Sequence, residues 1–235
     1  MSQQAAISPK NRLLLRLGEK DLALLIPHMQ RVNLEQRTVL YDVGESLSHV
    51  YFMEEGVASI IAIMENGSTI EVGMVGPEGM VSVSALLGDK TSKQHVVIQL
   101  SGVALKVHTK HCIAVFEQSA HFRDEILHFA SAVLALNAQT SACNRLHSVE
   151  QRFARWLLMS ADRFQSDTLP LTQDYLATML GVRRPGVSET AGDLQRSGLI
   201  ANSKGKIQII DREGLEQAAC ECYRSDRQRF DDLMS

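Results

Sequence analysis

The stretch from Leu171 to Ile200, LTQDYLATMLGVRRPGVSETAGDLQRSGLI, constrains the chain most. It reads as two short helices joined by a tight turn. Thr172 is a good N-cap, because its hydroxyl can accept a bond from a backbone N–H that has no partner inside the helix. Leu176, Ala177 and Leu180 then share one apolar face at helical spacing. Gly181 supplies the left-handed backbone that ends such a helix. Pro185, with its fixed φ and missing N–H, suits the first turn of the next. There Val187, Ala191 and Leu194 recur at i, i+4 and i+7 and face a core. The outward side is Pro185, Glu189, Gly192 and Arg196, flanked by Ser188, with Arg183 and Arg184 at the entrance. A short helix with a small, hydrogen-bonding outer face and arginines at its start suits a DNA major groove.

The next residues, ANSKGKIQIID, predict a turn at Ser203-Lys204-Gly205-Lys206 that leads into an alternating strand from Ile207 to Ile210. A hairpin with two lysines at its tip is what a phosphate-touching wing needs. From Thr172 to Lys206 the cations Arg183, Arg184, Arg196, Lys204 and Lys206 outnumber Asp174, Glu189 and Asp193, a local excess of +2 in a chain of net charge −3. Thr172 and Gln173, at the start of the first helix, join Arg183, Arg184, Pro185, Gly186, Ser188, Glu189, Lys204 and Lys206 as candidate DNA contacts.

At 235 residues the chain is long for one compact domain. Hydrophobic residues at 45% and charged residues at 22% are ordinary for a globular protein. No apolar run approaches the roughly 20 residues needed to span a bilayer, and MSQQAAISPKNR lacks the apolar core of a secretion signal. The four cysteines, Cys112, Cys143, Cys220 and Cys222, make no disulfide framework in a chain this size, so a reducing cytoplasm is expected.

Residues 1 to about 11 form a polar arm without periodicity. Leu13 to Met29 reads as helical, with a break at Gly18 and an end near Pro27. From about Val32 to His108, short β-branched and aromatic runs alternate with turn glycines at Gly44, Gly56, Gly67, Gly76 and Gly102. That spacing predicts an all-β sandwich or barrel. The segment PEGMVSVSALLGDKTSK reads as a short helix and loop between two strands. A long helix is then expected from about His121. Its residues Phe122, Ile126, Phe129, Val133, Leu136, Thr140 and Cys143 alternate spacings of four and three, which predicts a helix-to-helix seam between two copies of the chain. His147 and Ser148 read as a hinge, Phe153, Leu157, Ala161 and Phe164 as a supporting helix, and the C-terminal tail as one more helix. The expected division is 1–120, a β effector domain; 121–147, a dimerisation helix; and 148–235, a winged helix-turn-helix domain.

This order of parts resembles the Crp/Fnr family of transcription regulators, from about Asp21 to Leu215. The resemblance rests most on TQDYLATMLGVRRPGVSETAGDLQRSGLI and on the GE…VYFMEEGVA pattern of the β-domain. It implies an α+β fold: an N-terminal cyclic-nucleotide-binding-like jelly roll, a long dimerisation helix and a C-terminal winged helix-turn-helix. It also implies a homodimer on a two-fold-symmetric operator in double-stranded DNA, bases read by Arg184, Pro185, Gly186, Ser188 and Glu189, and RNA polymerase as a partner. A cyclic-nucleotide-binding member needs a Gly-Glu pair at its phosphate cassette and Arg-Ser about ten residues later. Here Ser82-Val83 and Lys93-Gln94 stand at those positions. The ribose ligand is absent, and a lysine lacks the planar guanidinium fork. The iron–sulfur members carry N-terminal cysteines, whereas this chain has none before Cys112. No cofactor is expected, and the effector is left open.

Other chemistry is weaker. Side chains two apart on a helix diverge by about 200°, so Cys220 and Cys222 are not expected to chelate a metal together. His108, His111 and Cys112 lack a companion at metal-ligand spacing. No phosphate-cradling glycine loop, zincin motif or nucleophile elbow is present, which argues against an enzyme. The competing reading is a ligand- or redox-sensing regulator whose C-terminal domain binds a protein partner. A flat apolar patch in place of the arginine-rich face would favour it.

Overall fold

The computed structural model describes residues 7–234, so part of the expected polar arm lies outside the described residues. The predicted N-terminal helix is two, α1 (Arg12–Leu15) and α2 (Glu19–Leu25), with the break at Gly18. Asn11 caps α1 by accepting from the Leu14 N–H at 3.0 Å, and its own amide donates to the carbonyls of Met53 and Gly79. This buried asparagine ties the N-terminal helices to the β-domain.

The β-domain contains β1 (Met29–Leu34), β2 (Val39–Tyr41), β3 (His49–Met53), β4 (Val57–Ile63), β5 (Thr69–Val75), β6 (Met80–Val81), β7 (His95–Leu100) and β8 (Gly102–His108). They form two antiparallel four-stranded sheets, ordered β1-β8-β3-β6 and β2-β7-β4-β5. Side chains alternate across each strand, and here both faces are covered. On β3, Tyr51 and Met53 fill the space between the sheets, while Val50 and Phe52 face α1, α2 and the helices that follow β8. On β7, Val96 and Ile98 point between the sheets, whereas Val97 joins the core of the C-terminal half. Double coverage explains why HVYFM and HVVIQL are nearly continuous apolar runs rather than alternating ones.

After β8 come α3 (Thr109–Gln118) and α4 (Ala120–Leu146), the latter capped by Ser119. The expected intermolecular seam on α4 turns inward. Phe122, Ile126 and Phe129 are 0–2% exposed and pack with Phe52, Met80 and Leu105 of the same chain. Val133 is half-buried on that cluster and Leu136 is buried. Thr140 accepts from Arg155 at 3.0 Å, and Cys143 is fully buried beside Cys220. Phe122, Ile126, Phe129, Leu136 and Cys143 are enclosed by their own protomer and leave little surface for a second copy. By length and composition alone α4 could cross a bilayer, unlike the expectation from sequence; its inward face instead lies on the β-domain.

The C-terminal half starts with α5 (Val149–Phe164), closed at its N-terminus by a reciprocal capping box between Ser148 and Gln151. Then follow β9 (Thr168–Leu169), α6 (Gln173–Leu180), α7 (Arg184–Arg196), β10 (Ile200–Ser203) and β11 (Lys206–Ile209), with sheet order β10-β11-β9. The tail is two helices rather than the expected one, α8 (Arg212–Ala218) and α9 (Cys222–Met234). Ala219 turns extended, at φ −72° and ψ 157°, and the change of direction carries Tyr223 into the core, where its hydroxyl donates to Asp162 at 2.9 Å.

The two halves share one apolar core. Val57, Ile61, Met74, Val97 and Leu100 of the β-domain pack with Trp156, Leu158, Met179 and Leu180 of the C-terminal half. Polar groups cross the same boundary: Gln36 donates to the Pro170 carbonyl, and Arg163 pairs with Glu78 at 2.8 Å.

Candidate nucleic-acid interface

The α6–turn–α7 unit is built as its residues dictate. The Thr172 hydroxyl accepts from the Tyr175 N–H at 3.3 Å, satisfying one of the helix's unpaired donors. Gly181 ends α6 at φ +63°, a left-handed backbone that favours glycine, and a Cβ there would meet the Ile70 side chain of β5 at 2.8 Å, which would have to shift. Pro185 sits in the first turn of α7. Val187, Ala191 and Leu194 are 0–1% exposed and seat α7 on α5, joined by the buried Thr190, which spacing alone did not single out.

The opposite side of α7 faces solvent. Arg183, Arg184, Pro185, Ser188 and Glu189 are exposed, and Gly186 is half-buried between them. Ser188 donates to the Gln173 side chain at 2.7 Å, linking the outward faces of α7 and α6. Arg184 pairs with Asp174 at 3.0 Å, both about two-thirds exposed. Arg196 is paired with Asp193 on its own helix. The wing is a two-residue hairpin in which Lys204-Gly205 connects β10 to β11, with Gly205 at φ +74°. The second strand alternates, burying Ile207 and Ile209 and exposing Lys206 and Gln208. One open cleft is lined by Thr172, Gln173, Asp174, Arg184, Ser203 and Lys204, so the wing tip and the start of α7 border a common surface. Arg183, Lys204 and Lys206 make no ion pair among the described residues. Of the three anions counted in this region, Asp174 and Asp193 are each already held by an arginine.

In the β-domain, Ser82 precedes a 3-10 turn at Val83–Leu87 and adopts φ +71°, the left-handed backbone that glycine would favour. Val83 is half-buried against the helical cluster. Lys93 is exposed and donates to Thr91 at 3.4 Å, and Gln94 is exposed as well. Glu78 is buried on Arg163 and also accepts from the Gly76 N–H at 3.1 Å, so its carboxylate is committed to the boundary with α5. His108 and His111 belong to a ring cluster that sequence spacing could not reveal: His28 stacks on His111 at 3.7 Å and His49 lies 5.1 Å from His108.

An antiparallel β-sandwich, a long connecting helix and a winged helix-turn-helix with a polar, arginine-flanked outer helix define a DNA-binding transcription regulator. The family model for the cyclic nucleotide-binding domain matches residues 31–119, and that for the Crp-like helix-turn-helix domain matches residues 151–218. The chain belongs to the Crp/Fnr family. Among curated relatives, transcriptional regulator LdrP of Thermus thermophilus is 24% identical over 194 residues, covering 78% of this chain and 94% of that one. Transcriptional regulator SdrP of the same organism is 25% identical over 177 residues, covering 72% and 83%. Among solved structures, a Crp/Fnr-family regulator from Eubacterium rectale superposes with a TM-score of 0.70 at 16% identity, covering 88% of this chain and 96% of that one. FixK2 from Bradyrhizobium japonicum gives 0.70 at 13% identity, covering 82% and 98%. At such identities the structural likeness speaks for the fold.

Proposed function

We propose that the protein is a homodimer that binds a two-fold-symmetric operator, with α7 in the major groove and the β10–β11 wing on the backbone. The observation that carries this reading is the shared surface of α7 and the wing. Arg184 and Lys204 border one cleft, and Arg183, Ser188 and Glu189 are exposed beside it. Arginine suits the O6/N7 edge of guanine and glutamate can accept from the cytosine amino group, whereas lysines on a hairpin tip suit phosphate. The surface is charged and hydrogen-bonding rather than flat and apolar, which favours DNA over a protein partner for this face.

The dimer contact is reassigned to the outer side of α4. Leu127, Ser131, Leu134, Ala138 and Ser141 follow the same alternation of four and three, and all are exposed. Leu127 is 44% and Leu134 69% exposed. Two leucines separated by small residues allow a second α4 to approach closely. The domain division at about residues 120 and 147 and contact with RNA polymerase belong to the same reading.

The β-domain is proposed not to take cyclic AMP at useful affinity. Val83 has no acceptor for a ribose hydroxyl, Lys93 points to solvent, and Glu78 is held by Arg163. An anionic phosphate left without its fork and a buried hydroxyl left unpaired together weaken binding by several kcal/mol.

Binding-site selection from random duplexes with the full-length protein tests the function. The expected result is a symmetric sequence whose half-site centres lie about one helical turn apart. Failure to enrich any sequence refutes the DNA reading. Repeating the binding with and without cyclic AMP, and finding tighter binding with it, would refute the effector reading.

A further inference from the structure

We propose that Cys143, His147, Cys220 and Cys222 form a zinc site that braces the end of α4 against the junction between α8 and α9. Their four ligand atoms all lie within 4.8 Å of one another. The three thiols are buried and form a separate cluster of their own, and His147 is half-buried beside them.

The grouping follows from where each helix stops. Cys143 and His147 are i and i+4 at the end of α4, so they lie on the same side. His147 is the C-cap, at φ −105° and ψ 151°, and its N–H bonds back to the Cys143 carbonyl. Cys220 stands in the break between α8 and α9, and Cys222 opens α9. On one continuous helix their side chains would diverge. Across the break, with the Tyr223 N–H turned back onto the Cys220 carbonyl, they converge.

Two of the separations already suit a tetrahedral ion. Zinc–sulfur bonds of about 2.3 Å at tetrahedral angles put two sulfurs roughly 3.8 Å apart, and a sulfur and a histidine nitrogen roughly 3.5 Å apart. Cys143 Sγ and Cys220 Sγ are separated by 3.5 Å, and Cys222 Sγ and His147 Nδ1 by 3.6 Å. The surroundings are those of a ligated cluster as well. With Nδ1 facing Cys222, the other ring nitrogen of His147 lies 3.3 Å from Glu221, the carboxylate orientation that metal-bound histidines use. Gln139 donates to Cys222 Sγ at 3.0 Å, and Arg155, bonded to Thr140 one turn before Cys143, is paired with Asp226 at 2.6 Å. Three cysteines and one histidine match a closed structural zinc set, and soft thiolates disfavour magnesium and calcium. Binding would release the three thiol protons to solvent. The bonds would close a loop of the chain around the whole winged helix-turn-helix unit.

The test uses full-length protein purified under reducing conditions without added chelator. Elemental analysis should find about one zinc per chain. After the zinc is stripped, Co2+ should give the visible bands of a tetrahedral thiolate complex. Cys220→Ser should abolish both signals. Glu221→Gln keeps all four ligands and should weaken zinc binding about 10–100-fold, giving a second reading should the cysteine variant fail to fold. Zinc should also raise the melting temperature of the wild-type protein. The proposal is overturned if reduced, folded wild-type protein takes up neither ion, if cobalt binds with an octahedral spectrum, or if Cys143 and Cys220 form a disulfide while the reduced protein binds no metal.

Discussion

The Trp156 indole N–H donates to Glu71 Oε1 across 2.8 Å, joining α5 of the C-terminal half to β5 of the β-domain. The other carboxyl oxygen of Glu71 is 2.5 Å from Ser59 Oγ, which is 2.8 Å from Gln99 Oε1, and the Gln99 amide donates to Ser160 at 2.8 Å. Ser59 has one hydroxyl proton and two acceptors beside it. A protonated Glu71 that donates to Ser59, which in turn donates to Gln99, satisfies every contact.

Burial pushes the Glu71 carboxyl up from its usual 4.5 to about 7, against the bonds from Ser59 and Trp156 and the nearby Arg163 and Arg155, which pull it down. The folded chain therefore holds this proton more tightly than the unfolded chain. The resulting stability is complete below about pH 4.5 and is lost as pH rises through about 7, a change of about 3 kcal/mol. Glu71→Gln keeps a neutral hydrogen-bonding group and should remove that component. Urea unfolding as a function of pH, followed by the fluorescence of Trp156, the chain's single tryptophan, measures it. Identical pH profiles for the two proteins would refute the assignment.

Arg184→Ala should cost about 1–3 kcal/mol on the selected operator and relax preference at one base pair per half-site. Lys204→Ala should weaken all duplexes alike and lower the salt slope by about 1. Arg184 must leave Asp174 to reach a base, and an exposed pair of this kind holds it by only about 0–1 kcal/mol. Asp174→Asn should therefore raise DNA affinity by up to several-fold. Equal losses for Arg184→Ala on specific and random DNA would show that it is not a base reader.

Leu134→Glu, on the outer row of α4, should give folded monomers with greatly weakened operator binding. Phe129→Ala, on the inner row, should keep the dimer but lower stability by about 3–5 kcal/mol. Sedimentation and thermal unfolding separate the two outcomes, and an unchanged dimer for Leu134→Glu would reject the outer seam.

Ser82 holds a left-handed backbone despite its Cβ. Ser82→Gly should remove that strain, about 1–2 kcal/mol, less the added freedom of glycine in the unfolded chain, for a net stabilisation below about 1 kcal/mol. Denaturant unfolding would show a higher midpoint with unchanged slope; a lower midpoint would contradict the argument.

The winged helix-turn-helix was legible because its signals are local. Thr172, Gly181 and Pro185 punctuate the helices, and Val187, Ala191 and Leu194 repeat at helical spacing. The seam was misread because alternating spacings of four and three mark any narrow contact, whether the partner is another chain or the molecule's own sheet. Phe122 and Phe129 dominate that row, while the outer row has only Leu127 and Leu134 among small residues and gives a fainter pattern. The cysteine cluster was missed for a different reason. The 200° divergence assumed a helix running through Cys220 and Cys222, and no glycine or proline marks the break at Ala219. Its companions lie far away in sequence, with Cys143 placed 77 residues before Cys220 and His147 75 before Cys222.

The continuous core from Met74 through Trp156 to Leu180 bears on how the protein can be dissected. A fragment beginning at Ser148 would still contain every residue of α7 proposed to face bases. It would also uncover the apolar surface of α5 and α6 that β4, β5 and β7 now shield. Such a fragment would tend to self-associate, and its binding curves would mix DNA contact with aggregation. The whole polypeptide is therefore the smallest unit whose DNA affinity can be interpreted.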